Sequence, residues 1–151
     1  MRIIAILSVL LVVASFTGCK KSSDNPVSTT NEYTGTWKIY SYSSTNGIVD
    51  SIVVNLNMNG NNGVLTGSGN IVYGTNKSSS NLAIVINGNL TGAYSDSNIS
   101  VVVTDKVTSN KFTYAGTKQS TSSGLGYTGN AVIITSADTL DVTDLTFYKS
   151  N

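Results

Sequence analysis

The sequence predicts an all-β fold, an antiparallel up-and-down barrel of eight strands, from three observations. Short runs rich in Val, Ile, Thr and Tyr, which favour strands, recur from residue 33 onward. Clusters of Gly, Asn and Ser, which are typical of turns, separate these runs at short intervals. No stretch in that region has the 3.6-residue apolar period of an amphipathic helix.

Glycine and asparagine punctuate the first half of the predicted barrel. The first strand begins at the triplet GTW and ends before Asn46-Gly47, a dipeptide suited to positive φ in a hairpin turn. The second strand alternates between apolar residues and asparagines with a clear period of two. Glycines within the third and fourth strands indicate bends or bulges in a curved sheet. The four predicted ranges are 35–44, 51–58, 64–73 and 81–92.

The second half of the predicted barrel continues this alternation. Valines alternate in the fifth strand, and Phe112 and Tyr114 share one face of the sixth. In the eighth strand the apolar residues change parity partway along, which predicts a bulge near Thr143-Asp144 that restores one inward face. The four predicted ranges are 98–107, 110–118, 125–135 and 138–148.

The order and spacing of these strands favour a meander that closes on itself. Eight short strands joined by short turns fit an up-and-down barrel, and closure removes the exposed edges of an open sheet. The alternative is an immunoglobulin-like β-sandwich, which composition alone does not separate from a barrel. Hairpin-length connections favour the barrel over the long crossovers of a Greek key.

The N-terminal residues predict secretion and lipid attachment. Arg2 is a short positive region, and residues 3–14 form an apolar run too short to span a bilayer as a helix. The run leads to FTGC, with Gly18 before Cys19, which resembles the lipobox of bacterial lipoproteins. The resemblance implies cleavage after Gly18 and a diacylglycerol on the Cys19 thiol. A lone cysteine, which cannot form an internal disulfide, agrees with this role.

The lipobox sets the expected domain organisation and location. We expect a lipoprotein signal peptide over 1–18, a lipidated cysteine and flexible tether over 19–32, and the barrel over 33–151. The residue after the cysteine is Lys20, and not the Asp that lipoprotein sorting reads as inner-membrane retention. The resemblance therefore implies a lipid-anchored protein of the bacterial cell envelope, attached to the outer membrane.

The triplet Gly35-Thr36-Trp37 at the start of the first predicted strand resembles the G-x-W motif of the lipocalins, whose barrel also has eight meandering strands. The wider layout of lipobox, polar tether, GTWK, glycine-punctuated hairpins and closing LTFYK resembles small lipocalin-like lipoproteins of Gram-negative bacteria. In that family the tryptophan plugs one end of the barrel under a basic residue from near the last strand. The resemblance implies a structural plug made of Trp37 and Lys149.

Composition argues against several function classes. The nine basic and eight acidic residues nearly balance, so the chain lacks the basic footprint of a nucleic-acid-binding protein. The chain has no histidine, the commonest general base and transition-metal ligand, and no catalytic triad or metal site is apparent. The segment GLGYTG matches G-x-G-x-x-G by chance, because a strand rather than a helix follows it. We therefore expect a protein without enzymatic activity, metal or cofactor.

The inner faces of the predicted strands suggest a cavity. Alternation points a set of mid-sized aliphatic and aromatic residues inward: Leu56, Ile84, Ile86, Val101, Val103, Phe112, Tyr114 and Tyr127. Glycines at 67, 69, 116 and 129 are expected to leave room beside the rings. Such a lining suits a small apolar molecule, with the hydroxyls of Tyr114 and Tyr127 as orienting groups.

Two functions follow from this reading. The leading hypothesis is non-catalytic binding of a small apolar molecule in the barrel cavity of a membrane-anchored protein. The alternative is a structural or interaction lipoprotein, whose barrel or sandwich is filled by its own side chains and contacts an envelope protein or a glycan.

Overall fold

The chain forms a closed antiparallel barrel of eight strands in sequence order. In the computed structural model, residues 31–45, 48–76, 82–121 and 124–150 are described. The strands are β1 (Gly35–Thr45), β2 (Ile48–Asn61), β3 (Val64–Thr75), β4 (Leu82–Tyr94), β5 (Asn98–Asp105), β6 (Lys111–Thr121), β7 (Gly124–Ile134) and β8 (Thr139–Lys149). The predicted all-β up-and-down barrel is confirmed, and the sandwich alternative is wrong. The predicted turn at Asn46-Gly47 lies outside the described residues.

Period-two alternation separates the inside of the barrel from the outside. In β2, Val54 and Leu56 are buried, whereas Asn55 and Asn57 between and beyond them are exposed. The same alternation in the other strands gives one continuous core with no polar or charged residue among the described buried positions. Burial of this apolar surface stabilises the closed barrel. It also fixes the register, because a one-residue slip in any strand would turn its apolar face to water.

The predicted bulge in the last strand is present. Gly129 pairs with Leu145, whereas Ala131, two residues on, pairs with Val142, three residues back. β8 therefore carries one extra residue, and Asp144 adopts a φ of 57° there. This insertion turns both Val142 and Leu145 toward the interior despite their opposite parity.

Glycine allows close backbone approach between neighbouring strands of the barrel. Gly67 has a φ of +151°, and a Cβ there would overlap the carbonyl oxygen of Asn57 on the neighbouring strand. A Cβ at Gly88 would overlap the carbonyl oxygen of Thr104. The register of β2, β3 and β4 runs through these glycines without a bulge, and the glycines are sites where a side chain has no space.

Strands β1 and β8 pair with each other at one end of the barrel only. These strands pair from Trp37 with Lys149 to Ile39 with Phe147, and the Ser150 amide donates to the Thr36 carbonyl at 2.8 Å. Within the described strands, the rest of β1 pairs with β2 alone, up to Thr45. We call the joined end, near Trp37, the plugged end, and the other the far end.

Among the described residues, no helix is long and apolar enough to cross a membrane.

Candidate functional site

The interior holds every residue that the sequence assigned to a cavity lining. All eight are buried: Leu56, Ile84, Ile86, Val101, Val103, Phe112, Tyr114 and Tyr127. They belong to one cluster that also contains the apolar residues of β1, β3 and β8. The inward direction given by alternation is thus the observed direction for each of them.

The glycines do not leave room beside these side chains, so that expectation is wrong. A Cβ at Gly69 would lie 2.7 Å from Leu56 Cδ2 and 2.7 Å from Val103 Cγ2. A Cβ at Gly116 would lie 2.5 Å from the Tyr114 hydroxyl. Neighbouring side chains already occupy these positions, as close packing of a protein interior requires.

The remaining two glycines face backbone rather than open space. The position of a Cβ at Gly67 is taken by the Asn57 carbonyl, and that at Gly129 by the Ala115 carbonyl. These glycines allow strands to approach, and the sequence alone does not distinguish this role from that of a cavity wall.

The two tyrosine hydroxyls expected to orient a ligand bind within the protein. The Tyr114 hydroxyl donates to the Tyr127 carbonyl at 2.9 Å. The Tyr127 hydroxyl donates to the Tyr33 hydroxyl at 2.9 Å, and Tyr33 donates to the Ser95 carbonyl at 3.0 Å. Burial raises the pKa of the Tyr114 and Tyr33 hydroxyls well above the ordinary value, so both stay protonated donors at neutral pH.

Trp37 lies fully buried at the plugged end. Its indole Nε1 donates to the Tyr33 carbonyl at 3.0 Å, and its ring lies 4.9 Å from that of Phe147. Lys149 is its cross-strand partner, and the Lys149 ammonium donates to the Glu32 carbonyl at 3.0 Å. The structure thus brings together the two residues that the sequence assigned to the plug.

Further residues that sequence reasoning missed complete the plug. Tyr94 stacks on Tyr33 with ring centroids 3.9 Å apart. Asn31 donates from Nδ2 to the Gly60 carbonyl at 2.7 Å and to the Tyr94 hydroxyl at 2.6 Å. Asn31 falls within the stretch assigned to the tether, so a residue two positions before the expected boundary at 33 contacts the barrel. No local pattern marks Asn31, because its partners are distant in sequence.

A cavity of about 210 Å³ opens at the far end, where β1 and β8 separate. Its lining mixes hydroxyls, carboxylates and three larger side chains: Ser41, Ser43, Asp50, Ser51, Ile52, Tyr73, Asp141, Val142 and Thr143. The Tyr73 hydroxyl donates to Asp50 at 3.1 Å. The cavity is more polar than the interior and lies above the buried Ile52.

The outer face of β1–β4 carries two rows of residues that pair across the strands. The first, which we call the tyrosine–valine row, consists of Tyr40, Val53, Val72 and Val85. Tyr40 is 67% exposed, Val85 is 55% exposed, and Tyr42 also points outward, two residues beyond Tyr40. Exposed apolar side chains in register form a patch rather than scattered single residues.

The second row lies directly beside the first. This amide row consists of Lys38, Asn55, Asn70 and Asn87. A cavity of about 190 Å³, the amide pocket, opens on it. The lining of the amide pocket is Thr36, Asn55, Leu56, Asn57, Ser68, Gly69, Asn70 and Asn87. Alternation predicted outward asparagines on β2, but only the register shows that they align with those of β3 and β4.

A wider groove of about 570 Å³ lies on the outer face of β4–β7. Small side chains such as Ser100, Ala115 and Asn130 line it, and these three residues pair in register. Its lining is uncharged, and its one aromatic side chain is Tyr94 of the plug.

Two further expectations bear on chemistry. Among the described residues, no group of three or more Asp, Glu, Cys or His side chains converges in a way that could hold a metal ion. Cys19, the signal peptide over 1–18 and most of the tether lie outside the described residues.

The molecule is a closed eight-stranded antiparallel barrel with an aromatic plug at one end, an architecture compatible with a lipocalin-like fold. No protein-family model matches the chain, and no curated protein or solved structure matches it at a significant level. The interpretation of function consequently depends on the site residues themselves.

Proposed function

We propose that this protein is a lipid-anchored, non-catalytic interaction protein of the bacterial envelope, whose filled barrel is a scaffold for binding at its outer surface. The observation that carries the proposal is the packing beside Gly69, where Leu56 and Val103 take the space that a cavity would need. An interior occupied by side chains leaves little volume for a guest. The proposal thus prefers the filled-barrel alternative over binding of a small apolar molecule inside.

The lipid anchor rests on the sequence. The apolar run and FTGC resemble a lipoprotein signal, and the proposed acylation of Cys19 would hold the barrel at a membrane surface through residues 20–30. More than one acyl chain is needed for stable anchoring, which bacterial lipoproteins provide. We place the protein at the outer membrane because Lys20 follows the cysteine, and not the Asp that lipoprotein sorting reads as inner-membrane retention.

The absence of a role in catalysis is also part of the proposal. The chain has no histidine, and its one cysteine is assigned to the lipid. The hydroxyls of Tyr33, Tyr114 and Tyr127 donate to protein carbonyls or to one another, and burial raises their pKa values, which disfavours the phenolate form. These hydroxyls serve the fold.

The test is to purify the full chain from its native host, extract it under denaturing conditions, and measure released small molecules by mass spectrometry. We expect no stoichiometric apolar compound apart from the acyl chains at the N-terminus. In parallel, an environment-sensitive apolar dye should show no saturable binding. A stoichiometric released ligand, or saturable dye binding weakened by Val103→Phe, would contradict the proposal.

A small molecule at the far end is the second candidate, and the cavity of about 210 Å³ favours it. A ligand there would contact Ile52 and Tyr73 and would sit outside the packed core. Dye binding that Val142→Trp blocks and Val103→Phe leaves unchanged would assign the ligand to this cavity.

A further inference from the structure

We propose that the outer face of β1–β4 binds a neutral saccharide, with one sugar ring in the amide pocket and the next ring across the amide row, against the tyrosine–valine row. This inference rests on the proposed function, since it names the class of partner that the outer surface would take. It is carried by the register of the four strands.

The hydrogen-bonding groups of the amide pocket are available to a ligand. None of the hydrogen bonds in the described part of the chain uses the side-chain amides of Asn55, Asn57, Asn70 or Asn87. The Asn87 backbone amide, and not its side chain, donates to Asp105. Each side-chain amide offers two donors and an acceptor, which is the combination that sugar hydroxyls require.

The size of the amide pocket fits a ring rather than a protein surface. Drug-sized ligands occupy pockets of roughly 300–1,000 Å³. The amide pocket, at about 190 Å³, is smaller and has room for one six-membered ring with its hydroxyls. A standard protein interface needs about 800 Å² from each partner, and the convergent polar groups here cover a much smaller area.

The tyrosine–valine row supplies the apolar half of the site, on the other side of the amide row from Thr36, Asn57 and Ser68. Residues two apart on a strand lie roughly 6.6 Å from each other along the strand, so Tyr40 borders Lys38 of the amide row. The Tyr40 ring, 67% exposed, offers a rigid amphipathic surface, and Tyr42 extends it along the strand. A sugar ring has the matching division, with C–H groups on its faces and hydroxyls at its rim.

Charge favours a neutral ligand. Lys38 is the one charged side chain in the two rows, and the lining of the amide pocket has none. The Asp105 carboxylate, which accepts a hydrogen bond from the Asn87 backbone amide beside the pocket, also accepts from the Val107 and Thr108 amides. A highly charged partner would therefore find few compensating groups on this face.

The experiment titrates the full chain, purified in detergent and isotopically labelled, with neutral trisaccharides of glucose, galactose, mannose and N-acetylglucosamine. We expect at least one to saturate, with nuclear magnetic resonance shifts at the side-chain amides of Asn55, Asn70 and Asn87. Tyr40→Ala and Asn87→Ala should each weaken binding at least tenfold, whereas Tyr40→Phe should keep it. Asn130→Ala, on the outer groove of β4–β7, is the matched control and should leave binding unchanged.

The inference is overturned if no neutral trisaccharide saturates up to about 10 mM, which corresponds to less than ~3 kcal/mol of binding free energy. It also fails if a galacturonic acid trimer binds more tightly than every neutral trimer, or if the shifts map to the groove of β4–β7 or to the far end. Because Tyr40 and Asn87 are exposed, unchanged circular dichroism is expected in both variants. A chain that binds no sugar but releases no interior ligand refutes this inference and leaves the proposed function standing.

Discussion

Replacing Trp37 with alanine tests whether the plugged end stabilises the barrel. The indole is fully buried, and its ring lies 4.9 Å from Phe147, 6.0 Å from Tyr127 and 6.5 Å from Tyr33. Truncation of a buried Trp costs about 3–5 kcal/mol in unfolding free energy. The lost bond from Nε1 to the Tyr33 carbonyl, worth about 1 kcal/mol, lies within that total. We therefore expect a loss of about 3–5 kcal/mol for Trp37→Ala.

The assay is urea unfolding of the full chain followed by far-ultraviolet circular dichroism, because Trp37→Ala removes the single tryptophan and with it the tryptophan fluorescence. Tyr40→Ala is the matched control, since it lies on the same strand, faces outward and is 67% exposed. An exposed truncation of this kind should change stability by no more than ~0.5 kcal/mol. A loss below about 1 kcal/mol for Trp37→Ala, or an equal loss in both variants, would refute the plug.

Three more predictions test the packing, the buried hydroxyls and the anchor. Gly69→Ala should destabilise the barrel by about 1–3 kcal/mol through overpacking, and Val103→Ala in that background should recover part of it; a neutral Gly69→Ala would indicate an empty interior. Burial raises the pKa of Tyr114 above its unfolded value, so its stabilising contribution is complete below about pH 10 and is lost as pH rises further. Urea midpoints measured from pH 8 to 11.5 should fall above pH 10, less steeply in Tyr114→Phe. Intact protein should carry an N-terminal fatty-acyl mass and sediment with membranes, and Cys19→Ser should accumulate as an uncleaved precursor, whereas efficient cleavage of that variant would refute lipidation.

Local pattern was sufficient for the elements of this fold. Apolar alternation located all eight strands within a few residues, and the parity change in the last strand located the bulge that Asp144 occupies. Such features depend on whether each side chain faces water, which residues two apart along one strand already record. The G-x-W resemblance pointed to Trp37, which lies fully buried at the end where β1 pairs with β8.

The contents of the barrel depend on contacts between distant residues. Glycine at position 69 has the same appearance in the sequence whether it borders a void or accommodates Leu56 and Val103. Tyr114 and Tyr127 are equally ambiguous, because their hydroxyls find partners 13 and 94 residues away. Interior volume is set by how side chains of several strands interdigitate, and one strand alone carries no information about it.

The sequence by itself determined the strands and their inward faces, because each depends on neighbouring residues; the lipobox stays a prediction of the sequence. Only the tertiary structure decided that Asn31 belongs to the plug, that the interior is packed beside its glycines, and that the asparagines of β2, β3 and β4 align beside Tyr40. The physical reason is cross-strand register. Hydrogen bonding between strands fixes it, and it brings together side chains from segments that are far apart in the chain.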